Sequence, residues 1–120
     1  MISIVDDDPL VREATVDLIQ SLGYAAVAFE SAEQFLDSGT LPTTSCLITD
    51  QQLPGLSGIE LQKRLRTDGY RTPVIIITAF PETRVRDHAL DAGAIAFLSK
   101  PFEQGVLIVS LETALNAAAG

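Results

Sequence analysis

Asp6, Asp7 and Asp8 are three consecutive acids placed directly after the apolar run ISIV. Side-by-side like charges repel and add nothing to packing, so a chemical reason for them is worth seeking. Asp50 follows another apolar run, CLIT, Thr78 closes the run PVIIIT, and Lys100 stands just beyond IAFL. Three carboxylates, a hydroxyl and an ammonium, each at the carboxyl end of an apolar run, suit phosphoryl transfer onto a carboxylate. Asp50 would be the nucleophile. A hard divalent cation such as Mg2+ would answer the convergence of Asp6, Asp7 and Asp50, because it takes oxygen ligands and keeps waters for exchange with phosphate. Lys100 would balance charge on the phosphoryl oxygens. Asp8 has a different reading: before Pro9 it caps a helix. Asp6 and Asp7 taken alone are as well explained by a solvated charge run. Their phase with Asp50 and Lys100 favours a site.

Bringing these groups together requires strands whose carboxyl ends share one edge. Runs of strand length occur at 2–5, 24–29, 46–49, 73–78 and 95–98. Most are continuously apolar, as expected of strands covered on both faces. Helical signals fill the gaps. Asp8-Pro9 opens a helix on which Leu10, Ala14, Leu18 and Leu22 mark one face, and Gly23 can end it. Ser31 with Gln34 and Ser57 with Glu60 have capping-box spacing, and Glu60 with Arg64 is spaced as an i,i+4 ion pair. Pro81 opens a fourth helix that Gly93 closes, and a fifth runs from about 102 or 103 to the end. Five βα units predict an α/β, flavodoxin-like doubly wound fold with a five-stranded parallel sheet of order 2-1-3-4-5. Ligands bind such sheets where the strand order reverses, here the ends of strands 1 and 3.

The runs IVDDD, TDQQLPGLSG, IIITAF and FLSKPF, taken in order, resemble response-regulator receiver domains of two-component signalling. LPGLSGIELQKRL and FLSKPFE are most similar to receivers of the FixJ type, which usually precede a helix-turn-helix DNA-binding domain. The resemblance covers essentially all of the chain. It implies a single receiver domain over 1–120 with no output domain in this chain. It also implies a histidine kinase as phosphodonor, and self-phosphorylation and self-dephosphorylation as the only enzymatic steps. Carried over residue by residue, Asp50 is the implied phospho-acceptor and Asp7 a direct Mg2+ ligand. Asp6 would ligate directly or through water, and the Gln52 carbonyl would be the third protein ligand. Thr78 would bond the phosphoryl group, Phe97 would turn inward behind it, and Lys100 would complete the site before a cis bond to Pro101. The family often uses helix 4, strand 5 and helix 5 for dimerisation or output. Gln51-Gln52 departs from the usual pattern, and Phe80 is bulky for its place. Both positions are expected to tune hydrolysis, with Phe80 shielding the phosphoryl group and slowing it.

Composition bounds the rest. The chain has 120 residues, is 47% hydrophobic and carries a net charge of -8. That suits one domain, and an acidic domain is a poor binder of nucleic-acid phosphates. No apolar stretch reaches the ~18 residues of a membrane span, and no basic leader is seen, so a cytoplasmic location is expected. The lone Cys46 sits in an apolar run and reads as a small buried hydrophobe. His88 has no Cys or second His to join it and reads as a surface residue. Val106, Leu107, Ile108, Val109 and Leu111 form an apolar band wider than one buried stripe, consistent with either an interface or deep burial. Three other functions compete. A haloacid-dehalogenase-like phosphohydrolase needs a second Asp two after the nucleophile, where Gln52 stands. Dinucleotide binding needs a GxGxxG after strand 1, which is absent. A pure interaction module has no need of Asp7, Asp50 and Lys100 together.

Overall fold

The computed structural model describes residues 1–119, with side-chain surroundings through Asn116. β1 (Ile2–Val5) leads through the acidic turn to α1 (Pro9–Ser21), where Asp8 caps the helix by accepting a hydrogen bond from Leu10 N–H at 3.0 Å. β2 (Ala26–Phe29), α2 (Ala32–Asp37), β3 (Cys46–Asp50) and α3 (Gly58–Thr67) follow. Then come β4 (Val74–Thr78), α4 (Thr83–Asp91), β5 (Ala96–Ser99) and α5 (Gln104–Ala119). The strands form one sheet of order β2-β1-β3-β4-β5, and every pairing is parallel. The expected doubly wound order is therefore found, with strand limits shifted by at most two residues.

Strand alternation explains the continuous apolar runs. Cys46 and Ile48 of β3 pack with Ile2, Ile4, Ile19, Ile75, Leu107 and Leu111 on the α1–α5 side of the sheet. Leu47 packs with Val5, Phe35, Leu61, Leu65 and Ile76 on the other. Each strand thus feeds two cores, and a polar residue on either face would be desolvated. The register then aligns the strand ends. Val5 pairs with Thr49, so Asp6 and Asp50 come next on adjacent strands. Thr78 pairs with Ser99, so Lys100 follows beside it, its N–H donating to the Thr78 carbonyl at 2.7 Å.

Some local expectations change. α1 meets the sheet through Thr15 and Ile19, while Leu10 is 77% exposed. The helix is rotated by about one position from the face marked by Leu10, Ala14, Leu18 and Leu22, because its contact line follows the sheet rather than its most apolar stripe. Glu60 turns back to accept from the Ser57 N–H at 3.1 Å, completing the capping box, and Arg64 pairs instead with Asp68 at 3.1 Å. The apolar band of α5 divides: Leu107 and Leu111 are buried, whereas Val106 and Val109 are exposed.

Burial pushes the Cys46 thiol up to about 12. A thiol that ionises near 9.0 when unfolded but only near 12 when folded costs stability as pH rises between those values, because the unfolded chain loses the proton first. Native protein at pH 8 is therefore expected to resist an aromatic disulfide reagent, with labelling appearing only on unfolding in urea. Rapid labelling of the folded chain would contradict the burial of Cys46.

Candidate functional site

The edge formed by the carboxyl ends of β1, β3, β4 and the β5–α5 turn gathers the five groups. Asp6 and Asp50 are buried, and Asp7 is exposed beside them. One carboxylate oxygen from each of Asp6, Asp7 and Asp50 lies within 4.8 Å of the others. Two unit charges at that spacing repel by about 3 kcal/mol at an effective dielectric near 20. Lys100 answers part of this. Its Nζ donates to Asp6 Oδ2 and to Asp50 Oδ2, both at 3.0 Å. The Lys100–Pro101 peptide bond is cis, as the resemblance implies.

The remaining oxygens are held by backbone. Asp8 N–H donates to Asp6 Oδ1 at 2.9 Å, and Gln52 N–H to Asp50 Oδ1 at 3.3 Å. Arg12 reaches the Asp6 carbonyl from α1 at 2.9 Å, which ties the first turn of that helix to the end of β1. Burial is the largest influence on Asp50 and raises its pKa. The hydrogen bond and charge of Lys100 pull it down, the Asp6 charge pushes it up again, and the net is upward. For Lys100, burial alone would lower the pKa, but bonds to Asp6 and Asp50 outweigh it and the ammonium is held charged.

Formal charges count three negative against one positive, which leaves two negative charges at one point. A divalent cation matches that remainder. The donors are hard carboxylate oxygens, open to solvent at Asp7, which suits Mg2+ with several retained waters. Asp6, Asp7 and Asp50 thus fit the ion that the sequence predicts.

Thr78 is fully buried at the end of β4, and its Oγ1 donates to Gln52 Oε1 at 2.6 Å while accepting from Phe80 N–H at 3.0 Å. Phe80 itself is 65% exposed, so its ring is not packed over the site in this state. Phe97 on β5 is half-buried and lines a recess with Pro81, Glu82, Arg86 and Ser99. His88 is exposed and lies 2.8 Å from Lys63 Nζ, remote in sequence from the site residues.

Three positioning features were not legible beforehand. Gln51 Oε1 accepts from Ile59 N–H at 2.9 Å, so the residue after Asp50 pins the first turn of α3. Gly58 is required by a close approach, since a Cβ there would stand 2.6 Å from the Asp50 carbonyl oxygen. An apolar groove of about 420 Å³ opens beside Lys100, lined by Leu10, Ala14, Leu18, Pro101 and Phe102. Nothing in the sequence signals that groove, because Leu10 reads there as part of one apolar helix face.

A model of the response regulator receiver domain matches residues 2–112. The transcriptional regulatory protein FixJ of Azorhizobium caulinodans is 36% identical over 98% of this chain and 56% of its own length. Response regulator protein TodT of Pseudomonas putida strain F1 is 35% identical over 98% of this chain and 52% of its own. The chain therefore spans about half the length of the curated relatives it matches. Among solved structures, FixJ-N superposes with a TM-score of 0.85 at 34% identity, covering 96% of this chain and 92% of that one. Response regulator StyR superposes with a TM-score of 0.91 at 38% identity, covering 98% of this chain and 60% of that one.

The upward shift of Asp50 means that its ionised form weakens the fold. In Mg2+-free buffer, Asp50→Asn is expected to raise the unfolding free energy, since it removes one buried like charge and keeps the Lys100–Asp6 pair. Urea denaturation in the presence of a chelator measures this. A loss of stability would show that the cluster is not under repulsive strain.

Proposed function

The chain belongs to the response regulator receiver domain family, and from that membership we propose how its residues carry out the phospho-accepting switch. The observation that carries the proposal is the Lys100 ammonium at 3.0 Å from both Asp6 and Asp50 at the edge where β1 and β3 meet. Asp50 is the nucleophile. Its Oδ attacks the phosphorus of a phosphohistidine on a partner histidine kinase, the P–N bond breaks, and an acyl phosphate forms. The residues that would hold Mg2+ are Asp6, Asp7 and Asp50, with the Gln52 carbonyl as a further oxygen. The ion would supply charge neutralisation for the transferring group.

The protein's own groups do the rest. Lys100 releases part of its hold on the carboxylates and bonds a phosphoryl oxygen, so the positive charge stays where negative charge arrives. Thr78 donates its hydroxyl to another phosphoryl oxygen. That movement vacates space behind β4, and Phe97 turns inward to fill it. The face of α4, β5 and α5 then changes its population between two states. Val106 and Val109 give that face exposed apolar surface, which suits a second copy of the chain. The output is proposed to be transcription, through a helix-turn-helix domain outside this chain. The domain itself does not contact nucleic acid in this reading, and self-phosphorylation and self-dephosphorylation are its only chemistry. No helix among the described residues is long and apolar enough to cross a membrane, and a cytoplasmic location is part of the proposal.

Intact mass after incubation with acetyl phosphate tests the proposal. One phosphoryl group is expected, dependent on Mg2+ and lost in Asp50→Asn. Uptake that survives a chelator, or persists in the variant, would refute it.

A further inference from the structure

The Thr78 hydroxyl has a single proton, and here that proton is already given away. Oγ1 donates to Gln52 Oε1 at 2.6 Å, and its own oxygen accepts from Phe80 N–H at 3.0 Å. Thr78 is fully buried, so no solvent competes for the hydroxyl. The same Gln52 donates its N–H to Asp50 Oδ1. One residue therefore grips both the nucleophile, through its backbone, and the threonine, through its side chain. We propose that the Gln52 amide is a resting-state latch, which holds the Thr78 hydroxyl away from Asp50 and must let go before Thr78 can bond a phosphoryl oxygen.

The inference rests on the receiver reading above. It goes beyond it by making Gln52 a positioning residue for the switch, separate from any part its carbonyl plays in holding an ion. The physical argument is competition for one donor. A buried hydroxyl that leaves a good acceptor without a replacement would lose a hydrogen bond, so the latch favours the inactive population until the phosphoryl oxygen offers a stronger, charged acceptor. The Gln52 side chain is exposed, so once released its amide is satisfied by water and raises no barrier to remaining open. Loss of one ordinary neutral hydrogen bond from the resting state alone shifts such an equilibrium by roughly five-fold.

Beryllofluoride with Mg2+, a phosphoryl mimic, provides the titrant, and amide NMR provides the readout for wild type, Gln52→Met, Thr78→Val and the double variant. Methionine keeps the length of glutamine and removes the acceptor. The latch predicts that Gln52→Met binds the mimic about five-fold more tightly than wild type, and that this gain vanishes in the Thr78→Val background. Equal or weaker binding by Gln52→Met, or the same gain without the threonine hydroxyl, would overturn it. A second readout needs neither ion nor mimic. Three-bond couplings of Thr78 in the free protein should report one χ1 rotamer in wild type and averaging in Gln52→Met. Averaging in wild type, or a single rotamer in both, would sink the latch. Failure of the receiver reading looks different: the wild type would not bind the mimic at all, while the rotamer comparison would still decide the latch.

Discussion

The ammonium of Lys100 lies between two buried carboxylates, and the whole edge of the sheet is organised around that contact. Parallel register brings the ends of β1 and β3 side by side, and with them Asp6 and Asp50. A carboxylate in that position loses hydration and gains a like-charged neighbour, and both effects oppose ionisation. A single lysine from the next strand but one offsets the excess only in part. The site is therefore left short of positive charge, and that shortage is the physical ground for proposing that a divalent cation binds here and neutralises the edge before a phosphoryl group arrives.

The deficit needs a scaffold that cannot relax. Two apolar cores, one on each face, hold the strands from both sides, so the strand ends cannot splay to separate the charges. The turns are tied as well. Gln51 fastens the loop after Asp50 to α3, the glycine at 58 permits the backbone to pass the Asp50 carbonyl, and Arg12 draws α1 onto the Asp6 carbonyl. Each contact fixes a backbone group, so the main chain that carries the carboxylates is held at several points. Thr78 and Gln52 meet through their side chains, and theirs is the contact that the proposed latch must release.

Much of this was readable from the residues. Continuous apolar runs ended by Asp6, Asp50 and Thr78, and a further run, IAFL, with Lys100 just beyond it, defined both the strands and the edge, because a parallel sheet puts every strand end on one side. Helix starts were legible where a cap stood before a proline or three residues before a glutamate, as at Asp8 and Ser57. What escaped depended on rotation or loop conformation. The buried line of α1 runs through Thr15 and Ile19 because the sheet sets the contact angle, and periodicity alone marked the neighbouring stripe. Glu60 had two sterically available partners, and the local cap won over Arg64 because the N–H groups at a helix start have no other acceptor. The side chains of Gln51 and Gln52 point where the loop directs them, and no spacing rule announces that.

Borohydride reduction of the protein after acetyl phosphate treatment, followed by peptide mapping, tests the central claim most directly, because it converts only an acyl-phosphorylated aspartate to homoserine. The proposed role of Asp50 as nucleophile, with Asp6 and Asp7 holding the ion, predicts that conversion at position 50 and at neither Asp6 nor Asp7. Homoserine at position 6 or 7, or phosphoryl groups found on a hydroxyl or on His88 with Asp50 unmodified, would contradict it.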